Sequence, residues 1–559
     1  MKGTRMDHPL PFSLTGARRV RWGLLILAGV MLGLSFPPSP LGILACFGLV
    51  PLLIVLADEP SLRRGLQYSY VTFLVFHLLT LNWTGGYAHA KDPYMMLAGA
   101  VTMLAHPLFY FLPIGAYQAV KKHLGEKGAL VALPFLWVAY EYTHSLSEWS
   151  FPWLTIGNSQ TYDISRIQFI EFTGVYGLSF WIVVVNVVAF TLYSLLAGGH
   201  IRPRSVRAAA WLALLVVVYE LPLVHGLFTL ASAERGDHAR ADSITVGIVQ
   251  ANIDPWEKWS GNSTQQPVQL QVRMTEQLCA RRDVPRPELV LWPETAIPYY
   301  VFLPLRGGEL APVREVARRM GLAVMTGLPV GIVYEDSTSA PPSARRLRWT
   351  GQRYDAYNAA ALVDPLNDSL PWYGKMKMVP LAERVPYADL FAFLDFLRWG
   401  VGIGGWQIGK DTTIFVERKT GAKFSTMICY ESVYPGFVAG FVRKGAEFIT
   451  ILTIDSWWDG MSGAYQHQQF AILRAIENRR WIARCAAGGF SCFVDPWGRV
   501  HDRTALFTQA TLSHTIERFT EQTWYTRHGD WLGVLCVMLS GFFLAAVAGM
   551  NFTKKVRSQ

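Results

Sequence analysis

The chain has 559 residues, of which 51% are hydrophobic and 16% charged, with a formal net charge of +10. That is too apolar for an ordinary soluble protein, whose charged fraction is ~25%. The basic balance does not point to nucleic acid, because many Lys and Arg residues flank apolar segments and no basic run interleaves with aromatics.

Eight apolar segments follow one another over residues 22–36, 41–57, 66–84, 95–120, 129–143, 172–197, 208–231 and 531–550. A spanning helix needs ~20 apolar residues. The first two segments are short and separated by Pro37, Pro38 and Pro40, which also fits a hairpin that does not fully cross. Either way the chain returns to its starting side. Arg18, Arg19 and Arg21 precede the first segment. Arg63 and Arg64, then Lys121, Lys122 and Lys127, then Arg202, Arg204 and Arg207 fill alternate loops, and Lys554, Lys555 and Arg557 follow the last segment. The intervening loops are poor in cations. Positive charge stays on the cytoplasmic side, so both termini are expected there. Phe36-Pro37-Pro38 after the first segment is no small-residue cleavage site, which argues against a removable signal peptide.

The loop 144–171 carries Trp149, Phe151, Pro152 and Trp153, then Gly157-Asn158-Ser159-Gln160. An interfacial aromatic belt and a re-entrant arm beside a lipid-accessible site both fit. After the seventh segment the composition becomes that of a soluble protein. Residues 243–252 and 288–294 read as buried strands with a helix at 264–281 between them. Further strands are expected at 322–330, 356–363, 424–430, 448–455 and 481–494, a helix at 464–480, and an exposed loop at 333–352. Strands alternating with helices imply an α/β layer fold. The division is thus 1–231, a membrane domain with seven spans; 232–527, a water-facing domain on the side opposite the termini; and 528–559, the last span and a cytoplasmic tail.

Six cysteines show no metal-ligand spacing. Cys485 and Cys492 are close enough in sequence to pair, but read as buried thiols, and Cys46 and Cys536 lie in apolar spans. Cys429 is different. It follows an apolar strand as Met427-Ile428-Cys429-Tyr430-Glu431, and two other strands end the same way near a Pro: Leu291-Trp292-Pro293-Glu294 and Trp372-Tyr373-Gly374-Lys375. α/β folds place their sites at strand ends. Singly, these residues are a core thiol, a helix-capping carboxylate and a solvated lysine. Together they offer a nucleophile, a base and a cation for an oxyanion, as cysteine acyl transfer requires.

The motifs WPET at 292–295, YGKMKMVPLAE at 373–383 and CYES at 429–432 resemble the signature segments of the nitrilase superfamily, whose triad is Glu-Lys-Cys. The resemblance is closer to its membrane branch, the apolipoprotein N-acyltransferase family, through LSFPP at 34–38, FPWLTIGNSQ at 151–160, VQANI at 249–253 and Gln466-His467. It implies a multi-span α-helical membrane domain of about eight helices plus an α/β nitrilase-like α-β-β-α sandwich domain. By the same resemblance Glu294 is the base, Lys375 the oxyanion stabiliser and Cys429 the nucleophile. Glu383 orients Lys375, Tyr430 and Glu431 flank the nucleophile, and Trp259 with Trp457 or Trp458 lines the substrate site. Two stretches depart from the family pattern: Lys377-Met378-Val379-Pro380-Leu381-Ala382 replaces His-Leu-Val-Pro-Phe-Gly, and Ile454-Asp455 replaces Asn-Asp.

The implied reaction moves an acyl chain from a phospholipid, phosphatidylethanolamine, through a thioester on Cys429 to the α-amine of an S-diacylglyceryl-cysteine on an apolipoprotein. It needs no metal or organic cofactor. The implied protein is a monomer in the bacterial inner membrane, with its catalytic domain in the periplasm. A membrane-tethered amidase shares the triad, but one anchor would serve it. A decayed, non-catalytic binding protein would not retain the full set of groups. A transporter would need ionisable residues deep in its spans, and His77 and His106 read instead as packed or hydrogen-bonded histidines.

Overall fold

A computed structural model describes residues 18–558 apart from 87–91, 237–241, 259–264, 304–309, 337, 341–343, 348–349, 368, 385 and 388–404. Nine helices come before the first strand among the described residues: α1 (Arg18–Leu34), α2 (Ala45–Gly48), α3 (Val50–Ala57), α4 (Leu62–Thr80), α5 (Pro93–Ala105), α6 (Phe111–Leu146), α7 (Ile170–Thr173), α8 (Val175–Ala197) and α9 (Val206–Arg235). Ser61, Asp92 and Ser205 start α4, α5 and α9 by accepting hydrogen bonds from first-turn N–H groups.

Four described stretches are long and apolar enough to cross a membrane: Pro93–Leu146, Val175–Ala197, Val206–Arg235 and Trp531–Asn551. Gly42–Ala57 is apolar but shorter. The expected count of about eight is therefore not reached by this measure. Two expected segments share the first stretch, which breaks at Gly125 (φ 75°, ψ 175°) inside the cationic loop. Helix α4 is long, but it buries Ser69, Thr72, His77 and Thr80 against its neighbours, which lowers its mean hydropathy. Thr72 Oγ1 donates to Leu25 O at 3.2 Å. Helices α1 and α4 lie so close that a Cβ on Gly29 would stand 2.4 Å from Thr72 O, and one on Gly33 2.7 Å from Leu79 Cβ. Small residues four apart permit that approach. Helix α9 leaves Leu212, Val217, Leu221, Leu227 and Phe228 exposed, an apolar face of the kind lipid covers.

Between α9 and the last helix the chain forms two sheets. The first contains β1 (Ser243–Gln250), β2 (Leu289–Leu291), β3 (Val301–Leu303), β4 (Ala323–Val333), β5 (Arg345–Arg346), β6 (Arg353–Val363), β7 (Trp372–Gly374) and β14. The second contains β8 (Phe415–Glu417), β9 (Ala422–Ile428), β10 (Phe448–Thr453), β11 (Ile482–Ala486), β12 (Cys492–Val494) and β13 (Val500–His501). Strand β14 (Ala510–Glu517) runs antiparallel along all of β1. Strands β9, β10 and β11 are parallel, and every residue of β10 and β11 is buried, as expected where both faces of a sheet are covered. Among the helices here, α10 (Pro255–Lys258) precedes α11 (Gln265–Ala280), and α11 and α12 (Ala311–Met320) pack on the first sheet. Helices α13 (Pro435–Arg443) and α14 (Ser462–Asn478) pack on the second. The sheets meet through β1 against β11 and β6 against β9. The layers are thus α-β-β-α. Helix α15 (Trp524–His528) leads into α16 (Trp531–Ser558), which packs back on α6.

The expected strand at 481–494 is in fact two antiparallel strands, β11 and β12, turned around Gly488 (φ 69°). Cys485 and Cys492 lie on these neighbours as free thiols. The loop after α6 is not an exposed belt. It coils into turns at Pro152–Leu154 and Ile156–Gln160, both buried, and Trp153 packs on Tyr430, His467 and Phe470.

Asn186, fully buried in α8, accepts from Leu49 N–H at 2.8 Å and donates to Ala45 O and Ile182 O. It alone among the described side chains makes such bonds to both α2 and the α2–α3 junction from α8. Replacing it with Leu orphans a buried N–H and a carbonyl, at ~1–3 kcal/mol. Asn186→Leu is expected to unfold at lower temperature in detergent while Asn551→Leu, at the exposed end of α16, does not; equal melting curves would contradict the docking role.

Candidate active site

Three strand ends converge from two sheets. Glu294 follows β2, Lys375 follows β7, and Cys429 follows β9. Glu294 Oε1 accepts from Asn358 Nδ2 at 2.7 Å and lies 3.4 Å from Lys375 Nζ. Lys375 donates to Glu383 Oε1 at 2.7 Å, and Glu383 Oε2 accepts from Val379 N–H at 2.9 Å. Lys375 is fully buried, and Glu294, Glu383 and Cys429 nearly so. The chain bends sharply at two of these points: Cys429 has φ 51° and Thr295 has φ 47°. Such left-handed non-glycine residues cost ~1–3 kcal/mol each and persist only where neighbours hold them. At Thr295 the neighbour is Lys258, whose buried ammonium donates to Thr295 Oγ1 at 2.7 Å and Thr295 O at 3.2 Å.

The charges explain the resting state. Burial works against an ammonium at Lys375, but Glu383 and Glu294 overcome it and hold its pKa above the ordinary lysine value. Burial and then the Glu294 carboxylate push the Cys429 thiol well up, with Lys375 opposing. Both causes favour the neutral thiol over the thiolate. Burial lowers Lys258 to about 8 against the pull of Glu294.

The other expected residues fall in distinct places. Tyr430 lines the site, stacked on Trp153 with its hydroxyl donating to Ser150 O at 3.1 Å. Glu431 turns away. Its Oε1 accepts from Tyr373 O–H and Met376 N–H, both at 2.6 Å, and its Oε2 from Ile428 N–H at 2.8 Å. It ties the Lys375 segment to the Cys429 turn, and burial raises its pKa to about 7 against those bonds. Trp457 and Trp458 both line the site, so the alternative between them falls away. Trp259 lies outside the described residues.

Glu294, Glu383 and Cys429 open on one cavity of about 920 Å³. One wall is formed by α5, the His106–Tyr110 turn and the start of α6, with Leu97, Val101, Leu108 and Leu112 among its residues. Phe151, Trp153 and Trp406 complete it. Helix α5 was read only as a span, because nothing in an apolar helix says which face meets a site. Asn358 did carry a signal: it is a lone amide beside the apolar run 359–363 of β6.

Comparison with known proteins covers both parts of the chain. The family model described as apolipoprotein N-acyltransferase N-terminal domain matches residues 28–188, and that described as carbon-nitrogen hydrolase matches 245–526. The sheet part thus has the nitrilase-like fold. An apolipoprotein N-acyltransferase from Chlorobaculum tepidum is 33% identical over 537 residues, 94% of this chain and 96% of its own. One from Geobacter metallireducens is 28% identical over 534 residues, 95% of each chain. Among solved structures, Saccharomyces cerevisiae Nit3, a member of branch 10 of the nitrilase superfamily, is 16% identical with a TM-score of 0.37, over 52% of this chain and 94% of its own.

Gly327 in β4 backs the Glu294 turn: a Cβ there would stand 2.5 Å from Thr295 N and 2.6 Å from Glu294 Cα. These are backbone atoms and cannot rotate aside. Gly327→Ala is expected to displace Glu294 and slow alkylation of Cys429 by iodoacetamide; a misplacement of ~1 Å costs about a hundredfold. Unchanged alkylation would show that the turn tolerates the methyl group.

Proposed function

The chain belongs to the apolipoprotein N-acyltransferase family, and from that premise we propose how its residues carry the reaction. The protein is an acyltransferase that N-acylates lipoproteins in a membrane context. The observation that carries the residue assignment is the meeting of Glu294, the Lys375–Glu383 pair and Cys429 at one end of a largely apolar cavity. Glu294 is the base, Lys375 the oxyanion stabiliser, and Cys429 the nucleophile. Glu383 positions Lys375, and Glu431 holds the two loops together.

In the first half, Glu294 takes the Cys429 proton and the sulfur attacks an ester carbonyl of the phospholipid. Negative charge gathers on that oxygen beside the Lys375 ammonium. Collapse breaks the ester C–O bond, and Glu294 returns the proton to the departing lysophospholipid alkoxide. A thioester remains on Cys429. In the second half the α-amine of S-diacylglyceryl-cysteine attacks it, and Glu294 takes the amine proton. Collapse breaks the C–S bond, the proton returns to sulfur, and the N-acyl lipoprotein departs. The acyl chain lies along α5, Tyr430, Trp457 and Trp458. Phosphatidylethanolamine is the proposed donor, because a cavity walled by an apolar helix reaches a bilayer lipid directly. One chain supplies every group named, which supports a monomer.

The amidase reading lacks support of this kind: a small amide has no use for a cavity of this size walled by a membrane helix. The division at 1–231, 232–527 and 528–559 is proposed to place the middle part in the periplasm and both termini in the cytoplasm, supported by the alternation of cationic loops. A reporter active only outside the cytoplasm is expected to work when fused after Gly236 and to be silent after Gly125 or at Gln559; activity at Gln559 would overturn that placement.

The reaction has its own test. Phosphatidylethanolamine with a labelled acyl chain, given without lipoprotein, is expected to label Cys429 through a bond that neutral hydroxylamine cleaves. A peptide with an S-diacylglyceryl N-terminal cysteine then takes the label on its amine, and the same peptide with a blocked amine does not. Cys429→Ala takes no label, and Glu294→Gln acylates at least about a hundredfold more slowly. Rapid release of free fatty acid without transfer would mean a hydrolase.

A further inference from the structure

Two neighbouring residues of α14 face different parts of the molecule. Gln466 is buried and faces the helical part. Its Oε1 accepts from Trp153 Nε1 at 2.6 Å and Trp83 Nε1 at 3.1 Å. Its Nε2 donates to Pro37 O at 3.0 Å and Thr80 O at 3.1 Å. One amide thus fastens the α1–α2 connection, the end of α4 and the arm after α6 to the second sheet's helix layer. Both indoles that it holds, Trp83 and Trp153, line the cavity.

His467 faces the nucleophile. Its Nε2 lies 3.1 Å from Cys429 O and 2.9 Å from Ser432 Oγ. A carbonyl only accepts, so the ring proton is on Nε2. Ser432 Oγ donates to the same carbonyl at 2.8 Å. His467 Nδ1 then accepts from Arg484 Nη2 at 2.9 Å. The Arg484 fork grips both Asp455 oxygens, at 2.8 and 2.9 Å, and all three side chains are fully buried or within 1% of it. Burial lowers the His467 pKa, with the Asp455 carboxylate, whose Oδ1 lies 3.2 Å from Nδ1, opposing and the Arg484 charge adding to the fall. Asp455 sits so close to Gly489 that a Cβ there would stand 2.1 Å from Oδ2. Asp455 also begins the turn Asp455–Trp458 that presents Trp457 and Trp458 to the cavity.

We infer that Gln466 and His467 are a positioning joint: Gln466 holds the membrane-side wall of the cavity, and His467 holds the strained Cys429 turn through its carbonyl, so that wall and sulfur keep one register. The inference rests on the reading of Cys429 as the nucleophile. The joint explains why the arm's indole and the nucleophile's backbone are both bonded from adjacent positions of one helix, with Trp153 and Trp458 packed on the His467 ring.

The test uses the full chain in liposomes and two reactions of Cys429: alkylation by iodoacetamide, which needs only the sulfur, and acylation by labelled phosphatidylethanolamine, which needs the wall as well. His467→Phe keeps a ring but loses the donor, and is expected to slow both reactions about ten- to a hundredfold. His467→Gln restores a donor and should recover most of both rates. Gln466→Met keeps volume but loses all four bonds. It is expected to leave alkylation within about twofold of the original while acylation falls about tenfold or more, with a raised KM for the phospholipid. Where His467→Phe does not fold, Ser432→Ala, which removes the second donor to Cys429 O, is expected to slow both reactions together. Original rates in the folded His467 or Ser432 variants, or equal losses in both reactions for Gln466→Met, would overturn the joint. Acylation surviving in Cys429→Ala would instead overturn the nucleophile assignment beneath it.

Discussion

A fully buried ammonium governs this site. Lys375 cannot remain charged in an apolar interior without compensation, and two carboxylates from different elements supply it, Glu383 at 2.7 Å and Glu294 at 3.4 Å. Burial and the Glu294 carboxylate push the neighbouring Cys429 thiol up, with Lys375 opposing. The geometry that sustains this balance is remote from the sulfur. Asn358 fixes one carboxylate, Val379 N–H the other, and Glu431 binds the Lys375 loop to the Cys429 turn.

The same triad serves hydrolases elsewhere in the superfamily that the motifs resemble, so the triad alone does not decide between water and an amine as the second nucleophile. The surroundings decide. One cavity wall is supplied by α5, the start of α6 and the arm, none of which belongs to the sheets. These elements line the cavity largely with apolar side chains. The proposed thioester, in such a place, meets little water and is open to an amine delivered with its own lipid. The helical part is thus half of the active site, and the buried arm, rather than the interfacial belt that its tryptophans also suggest, is the element that joins the halves.

Much of this was legible in the sequence because it depends on local pattern. Strands at 243–252, 322–330, 356–363, 424–430 and 448–455 are apolar runs and appear as β1, β4, β6, β9 and β10 with ends shifted by a few residues. The residues at three strand ends were legible because a polar side chain after such a run stands out. The spans were less so. Hydropathy counts apolar residues, and a helix such as α4 that buries hydroxyls and His77 inside the bundle scores low despite its length. His77 does pair as a packed histidine would, with Nε2 2.7 Å from His106 Nδ1. Least legible was what depends on distant elements meeting: that α5 faces Cys429, that Gly327 makes room for the Glu294 turn, that Glu431 points away from the cavity despite its place beside the nucleophile.

The direction that Glu431 takes follows from local geometry. The 3-10 turn Cys429–Val433 sends successive side chains in different directions. Cys429 and Tyr430 meet the cavity; Glu431, a turn's fraction later, meets the backbone of the Lys375 loop; Ser432 returns to the Cys429 carbonyl. A single tight turn therefore supplies a thiol, a wall, a brace and a clamp. The left-handed backbone at Cys429 (φ 51°) stands where β9 ends and this turn begins. From outside the turn, His467 of α14 bonds the Cys429 carbonyl, and Arg484 of β11 with Asp455 holds His467 in place.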